Sequence, residues 1–420
     1  MKYFKIRNTS LMLVVIASFL SCKQEKQWKG QEPIRKVSTL TVPIQKQYKG
    51  VFDLGDGVYL SNDYSGARMN GVARTNDTLI SVLITPENSP INPSAWYGFK
   101  IWSETNKELY VELTYNEDAF HRYFPKLSKD GSTWTPLDSL KYQSVKKIWN
   151  EREMAESITM QLSVNKDTLW ISAQELFTSS EVDTWTGKLL ANSFVSKSVI
   201  GKSNEGRPIN VLKIGASDDQ KMIMTISRQH PPEVTGFLAM QAFIETLCAD
   251  TELAKRYRAS YNTYVVPLVN PDGAANGHWR HNYGGIDLNR DWENFNQPET
   301  RAIRDFMQRK VSDTGGKFVF GADFHSTWED IFYTINPELK GNMPGLVPKV
   351  IAGLEDEFPG YVPNIRPSPG TGNKINSTAF FFYEFGAESF TYEVGDNTPR
   401  EFVRKKGEIT AQKLMEELLK

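Results

Sequence analysis

Four apolar runs in the second half of this 420-residue chain each lead into a group of polar residues. These runs are residues 221–226, 264–269, 318–324 and 389–394. Segments with helical periodicity separate them, for example residues 237–247, and another such segment, residues 400–420, closes the chain. Strands that alternate with helices predict an α/β fold, here a mixed central sheet with helices on both faces over residues 167–420.

The polar groups are expected to meet, because ligands of open α/β sheets bind where the carboxyl ends of the strands lie. The first group is His230-Pro-Pro-Glu233 and the second is Phe324-His325-Ser326. Two histidines and a glutamate can bind a catalytic zinc and leave one position open for water. Either histidine alone is typical of a structural residue. Both together, in a chain with five histidines, predict one Zn²⁺ per chain.

The other two groups supply cations and a second carboxylate. Asn270-Pro-Asp-Gly273 precedes Arg280, Asn289 and Arg290, and Glu393 stands near the end of the last strand. Alone, the first motif indicates a turn, and the arginines could be ordinary surface cations. In a metal crevice, guanidinium groups can polarise a scissile carbonyl or hold a carboxylate by paired hydrogen bonds. A carboxylate beside a zinc-activated water can act as general base.

The order of these motifs resembles that of the zinc carboxypeptidases (funnelins) over about residues 167 to 420, and the segment from Asn270 to Arg280 is most similar to their cytosolic-carboxypeptidase-like subgroup. The resemblance implies that a zinc-activated water, with a glutamate as general base, removes C-terminal residues from peptides. Residue by residue, it implies zinc ligands at His230, Glu233 and His325, a carbonyl-polarising Arg280, a carboxylate site at Asn289 and Arg290, and the base at Glu393.

Two positions depart from the digestive members of this family. Their mobile tyrosine, which caps the substrate terminus, would fall near Thr371, but residues 370–382 contain no tyrosine, so the cap is missing or supplied elsewhere. Thr378 would form the base of the side-chain pocket, which predicts no strong charge preference. Glu388, five residues before Glu393, is expected at the opposite end of its strand and therefore outside the site.

Short β-rich runs separated by turn residues predict a small all-β sandwich domain over residues 46–166. Ser61-Asn-Asp-Tyr-Ser-Gly66 and Trp96-Tyr-Gly-Phe99 resemble the sandwich domain of the same carboxypeptidase subgroup. His121 has no nearby metal-type residues here and is expected to be structural or exposed. The strands predicted for this domain are residues 78–84, 96–102 and 109–114.

The first 45 residues carry an export pattern. A basic start precedes an apolar run at residues 11–20, which is typical of a signal peptide, here residues 1–21, and is short for a membrane span. Cys22 directly after it resembles the acylation site of a bacterial lipoprotein. Residues 22–45 then predict the lipid anchor site and a polar tether. We expect a protein exported across the inner membrane and lipid-anchored in the periplasm or cell envelope.

A formal net charge of −1 provides no electrostatic reason to expect nucleic acid as a partner. We expect a peptide with a free C-terminus as substrate, membrane contact through Cys22, and a monomer. One alternative is a zinc-dependent deacylase or amidase on the same fold, which only substrate tests distinguish from a peptidase. The other is a catalytically silent lipoprotein whose sandwich binds a glycan or a protein, and the retained ligands and base argue against it.

Overall fold

The computed structural model describes residues 30–149, 151–217, 221–358 and 360–420. The expected signal peptide, residues 1–21, and Cys22 lie outside the described residues. Within the described part of the chain, no helix combines the length and apolarity that a bilayer span requires. The described residues form a β-sandwich followed by an α/β domain.

The β-sandwich consists of two sheets, with strand orders β1-β2-β5-β11-β7-β8 and β3-β4-β6-β10-β9. Alternation produces its core: in β6, Leu109, Val111 and Leu113 are buried between more exposed neighbours, because successive side chains point to opposite faces. The strands are β1 (Val51–Asp53), β2 (Val58–Ser61), β3 (Gly71–Arg74), β4 (Leu79–Ile84), β5 (Gly98–Ser103), β6 (Lys107–Tyr115), β7 (Lys126–Ser128), β8 (Thr135–Pro136), β9 (Tyr142–Trp149), β10 (Arg152–Val164) and β11 (Leu169–Ser172).

The α/β domain has one mixed sheet with strand order β12-β13-β15-β14-β16-β19-β17-β18. Its strands are β12 (Val195–Lys202), β13 (Pro208–Ile214), β14 (Lys221–Ser227), β15 (Tyr261–Val266), β16 (Phe318–Thr327), β17 (Ile331–Thr334), β18 (Ile365–Pro367) and β19 (Glu388–Gly395). Its helices are α1 (Ser179–Leu189), α2 (Val234–Leu247), α3 (Glu252–Ser260), α4 (Pro271–Asn276), α5 (Pro298–Thr314), α6 (Leu346–Glu357), α7 (Ser377–Phe385) and α8 (Arg400–Leu418).

Helices cover both faces of this sheet, as predicted. Along β14, Ile223 belongs to the core cluster that includes residues of α1, α2, α3, α6 and α8, whereas Met222, Met224 and Ile226 belong to the cluster that includes residues of α5 and α7 on the other face. A strand buried on both faces is apolar throughout, which explains the continuous apolar run at this position. The domain is therefore the mixed α/β structure that the sequence indicates.

The predicted strands of the α/β domain are present, and the bounds of two of them differ from the prediction by more than one residue. β15 ends at Val266 instead of residue 269, because Pro267 has no amide hydrogen with which to continue the ladder. β16 continues through His325 to Thr327, because its last residues pair with β19. His325 therefore lies within a strand and not after it, which holds its backbone rigidly.

Two expected boundaries in the first half differ from the structure. The sandwich extends past residue 166, since β11 pairs with β5 and β7. The expected tether, residues 22–45, lies against the α/β domain where it is described. Thr39 is only 1% exposed, and its carbonyl accepts a 2.7 Å hydrogen bond from Gln297 Nε2. Contacts with residues more than 200 positions away in the chain leave no local pattern in the sequence.

The sandwich is fixed to the α/β domain by buried polar contacts. Arg122 Nε donates to Asp396 Oδ2 at 2.8 Å, and its Nη2 donates to the carbonyl of Ser326 at 3.0 Å. Trp279 packs in the sandwich core, and its indole N–H donates to the carbonyl of Trp96 at 3.1 Å. His121, which is buried and bonded to a tyrosine hydroxyl, is structural. The sandwich thus forms one side of the crevice described below.

Candidate active site

Four parallel strands bring the polar groups to one edge of the sheet. β15, β14, β16 and β19 are neighbours and run in the same direction, so their carboxyl ends lie together. The residues that follow or end these strands are those singled out in the sequence. Convergence on one crevice, expected from the motif positions, is therefore what the topology produces.

The turn after β14 positions His230 and Glu233. Arg228 adopts a positive φ of 59° directly after the strand, and bend and turn residues at positions 229–232 follow it. Glu233 then precedes α2 as its N-cap residue, but its carboxylate makes no cap hydrogen bond. The first turn of α2 packs tightly on β16, since a Cβ at Gly236 would lie 2.2 Å from the carbonyl oxygen of His325. Glycine here lets the two ligand-bearing elements approach each other.

Glu233 lies between the two histidines. Its Oε1 is 2.8 Å from His230 Nδ1, and its Oε2 is 2.6 Å from His325 Nδ1. All three side chains are buried, and one ligand atom from each lies within 4.8 Å of the others. Burial opposes ionisation of Glu233, but the neighbouring His230 and His325 outweigh it and hold the pKa of this carboxyl well below its usual range.

Outer carboxylates orient both imidazole rings. His230 Nε2 is 2.9 Å from Asp287 Oδ1, and His325 Nε2 is 2.9 Å from Asp323 Oδ2. Burial disfavours the charged imidazole of His325, but the charges of Asp323 and Glu233 prevail and raise its pKa well above the usual value. Each ring therefore directs its Nδ1 towards the centre of the cluster.

The donor set fits Zn²⁺. Two imidazole nitrogens and a carboxylate form a common set of ligands for catalytic zinc, which has three protein ligands and an open position. Metal-binding histidines typically donate their second N–H to a carboxylate, and Asp287 and Asp323 occupy that place here. The three residues that the sequence predicts as ligands are thus brought together with their orienting partners.

Glu393 lies beside this cluster and Glu388 does not. Glu393 is the ladder partner of His325, and its Oε2 is buried without a hydrogen-bond partner among the described residues. Burial and the charge of Glu233 raise the pKa of Glu393 to about 7. Glu388 begins the same strand, pairs with Phe320, and accepts a 2.9 Å hydrogen bond from the amide of Gly341. The crevice is at the other end of β19.

A sandwich carboxylate holds the backbone around Arg280. Glu87 is fully buried and accepts hydrogen bonds from the amides of Trp279, Arg280 and His281, at 2.8, 3.0 and 2.6 Å. Burial would raise the pKa of Glu87, but nearby positive charge and these amides lower it to about 2. The Arg280 side chain in turn donates from Nε to Asp287 Oδ2 at 2.8 Å. Asp287 thereby links Arg280 to the His230 ring.

Asn289 and Arg290 lie on a short 3₁₀ turn next to the cluster, Leu288–Arg290. Asn289 Nδ2 is 3.5 Å from His325 Nε2, and its Oδ1 accepts from the amide of Ser377, at the start of α7, at 3.1 Å. Arg290 Nη1 donates to the Asn289 carbonyl at 2.8 Å, and Arg290 lines the same cavity as Arg280. A substrate carboxylate at this position would meet two cations.

Sequence reasoning missed Asp287, Asp323 and Glu87 as site residues. Asp323 precedes His325 by two positions on one strand face, and Asp287 precedes Asn289 by two, so their spacing was a usable signal. Glu87 had none, because it is 193 residues from Arg280 in the chain. Asp272 of the Asn270-Pro-Asp-Gly273 motif is structural, since its carboxylate accepts from Ser203 Oγ at 2.7 Å.

Parts of this chain match a protein-family model, curated relatives and solved structures. Residues 183–344 match the family model described as zinc carboxypeptidase. An uncharacterized protein from Zymomonas mobilis is 22% identical over 71% of this chain and 78% of its own length. Cytosolic carboxypeptidase 6 of Caenorhabditis elegans is 25% identical over 36% of this chain, which spans 35% of that relative. A metallo-carboxypeptidase structure from Pseudomonas aeruginosa has a TM-score of 0.67 at 20% identity, covering 86% of this chain and 99% of that one.

Proposed function

We propose, on the premise that this chain carries a zinc carboxypeptidase domain, that it removes C-terminal residues from peptides at the bacterial cell envelope. The family match and the metallo-carboxypeptidase neighbours support a peptide hydrolase. The observation that carries the proposal is the cluster of His230, Glu233 and His325. Glu393 lies on the neighbouring strand at the position paired with His325, and one of its carboxylate oxygens has no hydrogen-bond partner among the described residues.

His230, Glu233 and His325 would hold the zinc, which when bound lowers the pKa of a water and polarises the scissile carbonyl. Glu393 takes a proton from the attacking water through its free Oε2 and delivers it to the leaving amine. Burial of Glu393 favours both transfers, because a carboxyl whose pKa is raised towards 7 can accept and donate a proton near neutral pH.

Arg280 and Arg290 would have different roles in the reaction. Arg280 is held by Asp287 and by the Glu87-bound backbone, so its guanidinium is preorganised to stabilise the oxyanion that develops on the carbonyl. Asn289 and Arg290 would bind the substrate carboxylate, which restricts the enzyme to a free C-terminus. The envelope location is supported by the sequence pattern alone, through the apolar run at residues 11–20 and Cys22.

The test is incubation of the zinc-loaded, detergent-solubilised protein with paired peptides that differ only in a free or amidated C-terminus. Mass spectrometry should show loss of single residues from the free acids and none from the amides. An N-acyl amino acid and a muropeptide mixture complete the panel. Hydrolysis of the acyl amino acid alone would indicate the deacylase alternative, and equal turnover of acids and amides would exclude a carboxypeptidase.

A further inference from the structure

We infer that residues 31–43 form one wall of the substrate cleft and that Ile34 limits the pocket for the C-terminal side chain to small, uncharged groups. This inference rests on the proposed carboxypeptidase function. The segment precedes the sandwich and lies outside the residues that carry the family resemblance. It is therefore a feature of this chain's own N-terminal region.

The segment is bound along its length to the part of the α/β domain that carries the carboxylate site. At one end, the Gln31 amide donates to the carbonyl of Pro367 at 2.8 Å. In the middle, Lys36 Nζ lies 2.7 Å from Glu293 Oε2. At the other end, the Val42 amide donates to the carbonyl of Gly284 at 2.9 Å. In the chain, Gly284 precedes Asn289 and Arg290, and Glu293 and Pro367 follow them.

Two residues of the segment, Thr39 and Val42, pack closely on the α/β domain. A Cβ at Gly285 would lie 2.6 Å from the carbonyl oxygen of Val42, and Thr39 is 1% exposed. The Thr39 hydroxyl also accepts from Asn296 Nδ2 at 2.9 Å. A segment held by backbone bonds, an ion pair and a buried side chain has a defined position, so the side chains it presents can shape a pocket.

Two cavities flank the carboxylate site, and the segment lines both. A cavity of about 570 Å³ lies between Val37, Val42 and the arginines Arg280 and Arg290. A smaller cavity of about 30 Å³ includes Gln31, Ile34, Thr371, Thr378 and Tyr383 in its wall. The small cavity adjoins the reaction centre, because Thr378 Oγ1 is 3.4 Å from Thr391 Oγ1 and Thr391 lies on the same face of β19 as Glu393.

The small cavity has the properties of a side-chain pocket for a short apolar or hydroxylated residue. Its volume is about 30 Å³, against about 570 Å³ for the neighbouring cavity. None of the described residues that line it carries a charge. Lys374, nearby in the sequence, is paired with Glu384 instead. Alanine or serine fits such a pocket, whereas leucine, phenylalanine or lysine requires its wall to move.

The segment also supplies what the sequence left missing near Thr371. No tyrosine occurs in residues 370–382, and the wall facing Thr371 is completed by Ile34 and Gln31 together with Tyr383. The Tyr383 hydroxyl accepts a hydrogen bond from the Gly372 amide at 3.3 Å. A fixed wall from the N-terminal region thus occupies the side of the pocket where the family resemblance implies a mobile cap.

The experiment compares Ile34→Ala with the wild type on peptides that differ only in their last residue: alanine, leucine, lysine or glutamate. The protein is the zinc-loaded full chain in detergent, and kcat/KM is measured for each peptide. The wild type should prefer alanine. Ile34→Ala should raise the leucine-to-alanine ratio by about tenfold or more, the effect expected for one or two methylene groups in an apolar pocket. This ratio is independent of the fraction of folded enzyme.

Leu40→Ala is the matched control, since Leu40 is on the same segment, is 65% exposed and lines neither cavity. It should keep the wild-type ratio. The inference would be wrong, and the proposed function would stand, if an active wild type preferred leucine, lysine or glutamate. The same holds if Ile34→Ala and Leu40→Ala had equal leucine-to-alanine ratios. A wild type that releases no residue from any peptide would overturn the proposed function and the inference with it.

Discussion

Replacing Glu393 by glutamine should lower kcat by roughly 10²- to 10⁴-fold, the range for a lost general base. This corresponds to about 2.7–5.5 kcal/mol of activation free energy. Glutamine has the same shape and keeps the side chain beside His325, but it cannot accept a proton from water at neutral pH. The zinc content should stay at about one per chain, because Glu393 is not among the three clustered ligands.

The matched control is Glu388→Gln on the same strand. Five residues at about 3.3 Å each place Glu388 roughly 16 Å from Glu393, too far to reach the cluster. Its carboxylate accepts from the amide of Gly341, and a glutamine oxygen can accept the same bond. Activity should therefore remain within a few-fold of wild type.

The assay is steady-state hydrolysis of a peptide with a free C-terminus, followed by mass spectrometry, with zinc measured by elemental analysis on the same samples. An active Glu393→Gln with normal zinc would show that another group removes the proton. Loss of activity in Glu388→Gln with a normal thermal unfolding curve would contradict the strand direction on which the assignment depends.

Four further outcomes are expected. His230→Ala should lose zinc by elemental analysis while its far-ultraviolet circular dichroism stays close to wild type, because two ligands remain and the apolar core is untouched. Arg290→Ala should mainly raise KM for free-acid peptides, whereas Arg280→Ala should mainly lower kcat, since its partner charge develops only in the transition state. Burial raises the pKa of Glu299 to about 7, so the folded chain binds more protons than the unfolded chain between about pH 4.5 and 7, and the free energy of unfolding falls as pH rises through this window. Glu299→Gln should therefore stabilise the protein at pH 8 by up to about 3 kcal/mol and leave it unchanged at pH 4, as measured by urea unfolding; an equal gain at both pH values would contradict this explanation. Cys22→Ser should move the protein from the membrane fraction to the soluble fraction or leave its signal uncut, and a processed, membrane-bound serine variant would show that the anchor lies elsewhere.

The three residues that could bind zinc were predicted from the sequence because their signals are local. His230 and Glu233 are three residues apart at the end of an apolar run, and His325 is at the end of another. Parallel strands necessarily bring such ends to one edge, so the pattern alone implied a shared crevice. The same reasoning separated Glu393 from Glu388, because position along a strand determines which end of the sheet a residue occupies.

Only the tertiary structure decided which groups support this cluster. Glu87 binds the backbone at Arg280 from another domain, and residues 31–43, which read as a polar tether, lie instead along the cleft. Such contacts join positions about 190 to 340 residues apart and depend on how two domains and a peripheral segment pack. Periodicity and motif spacing report strands, helices and the residues at their ends, because these follow from local backbone geometry. They cannot report the packing partners, since a long-range contact has no characteristic spacing in the chain.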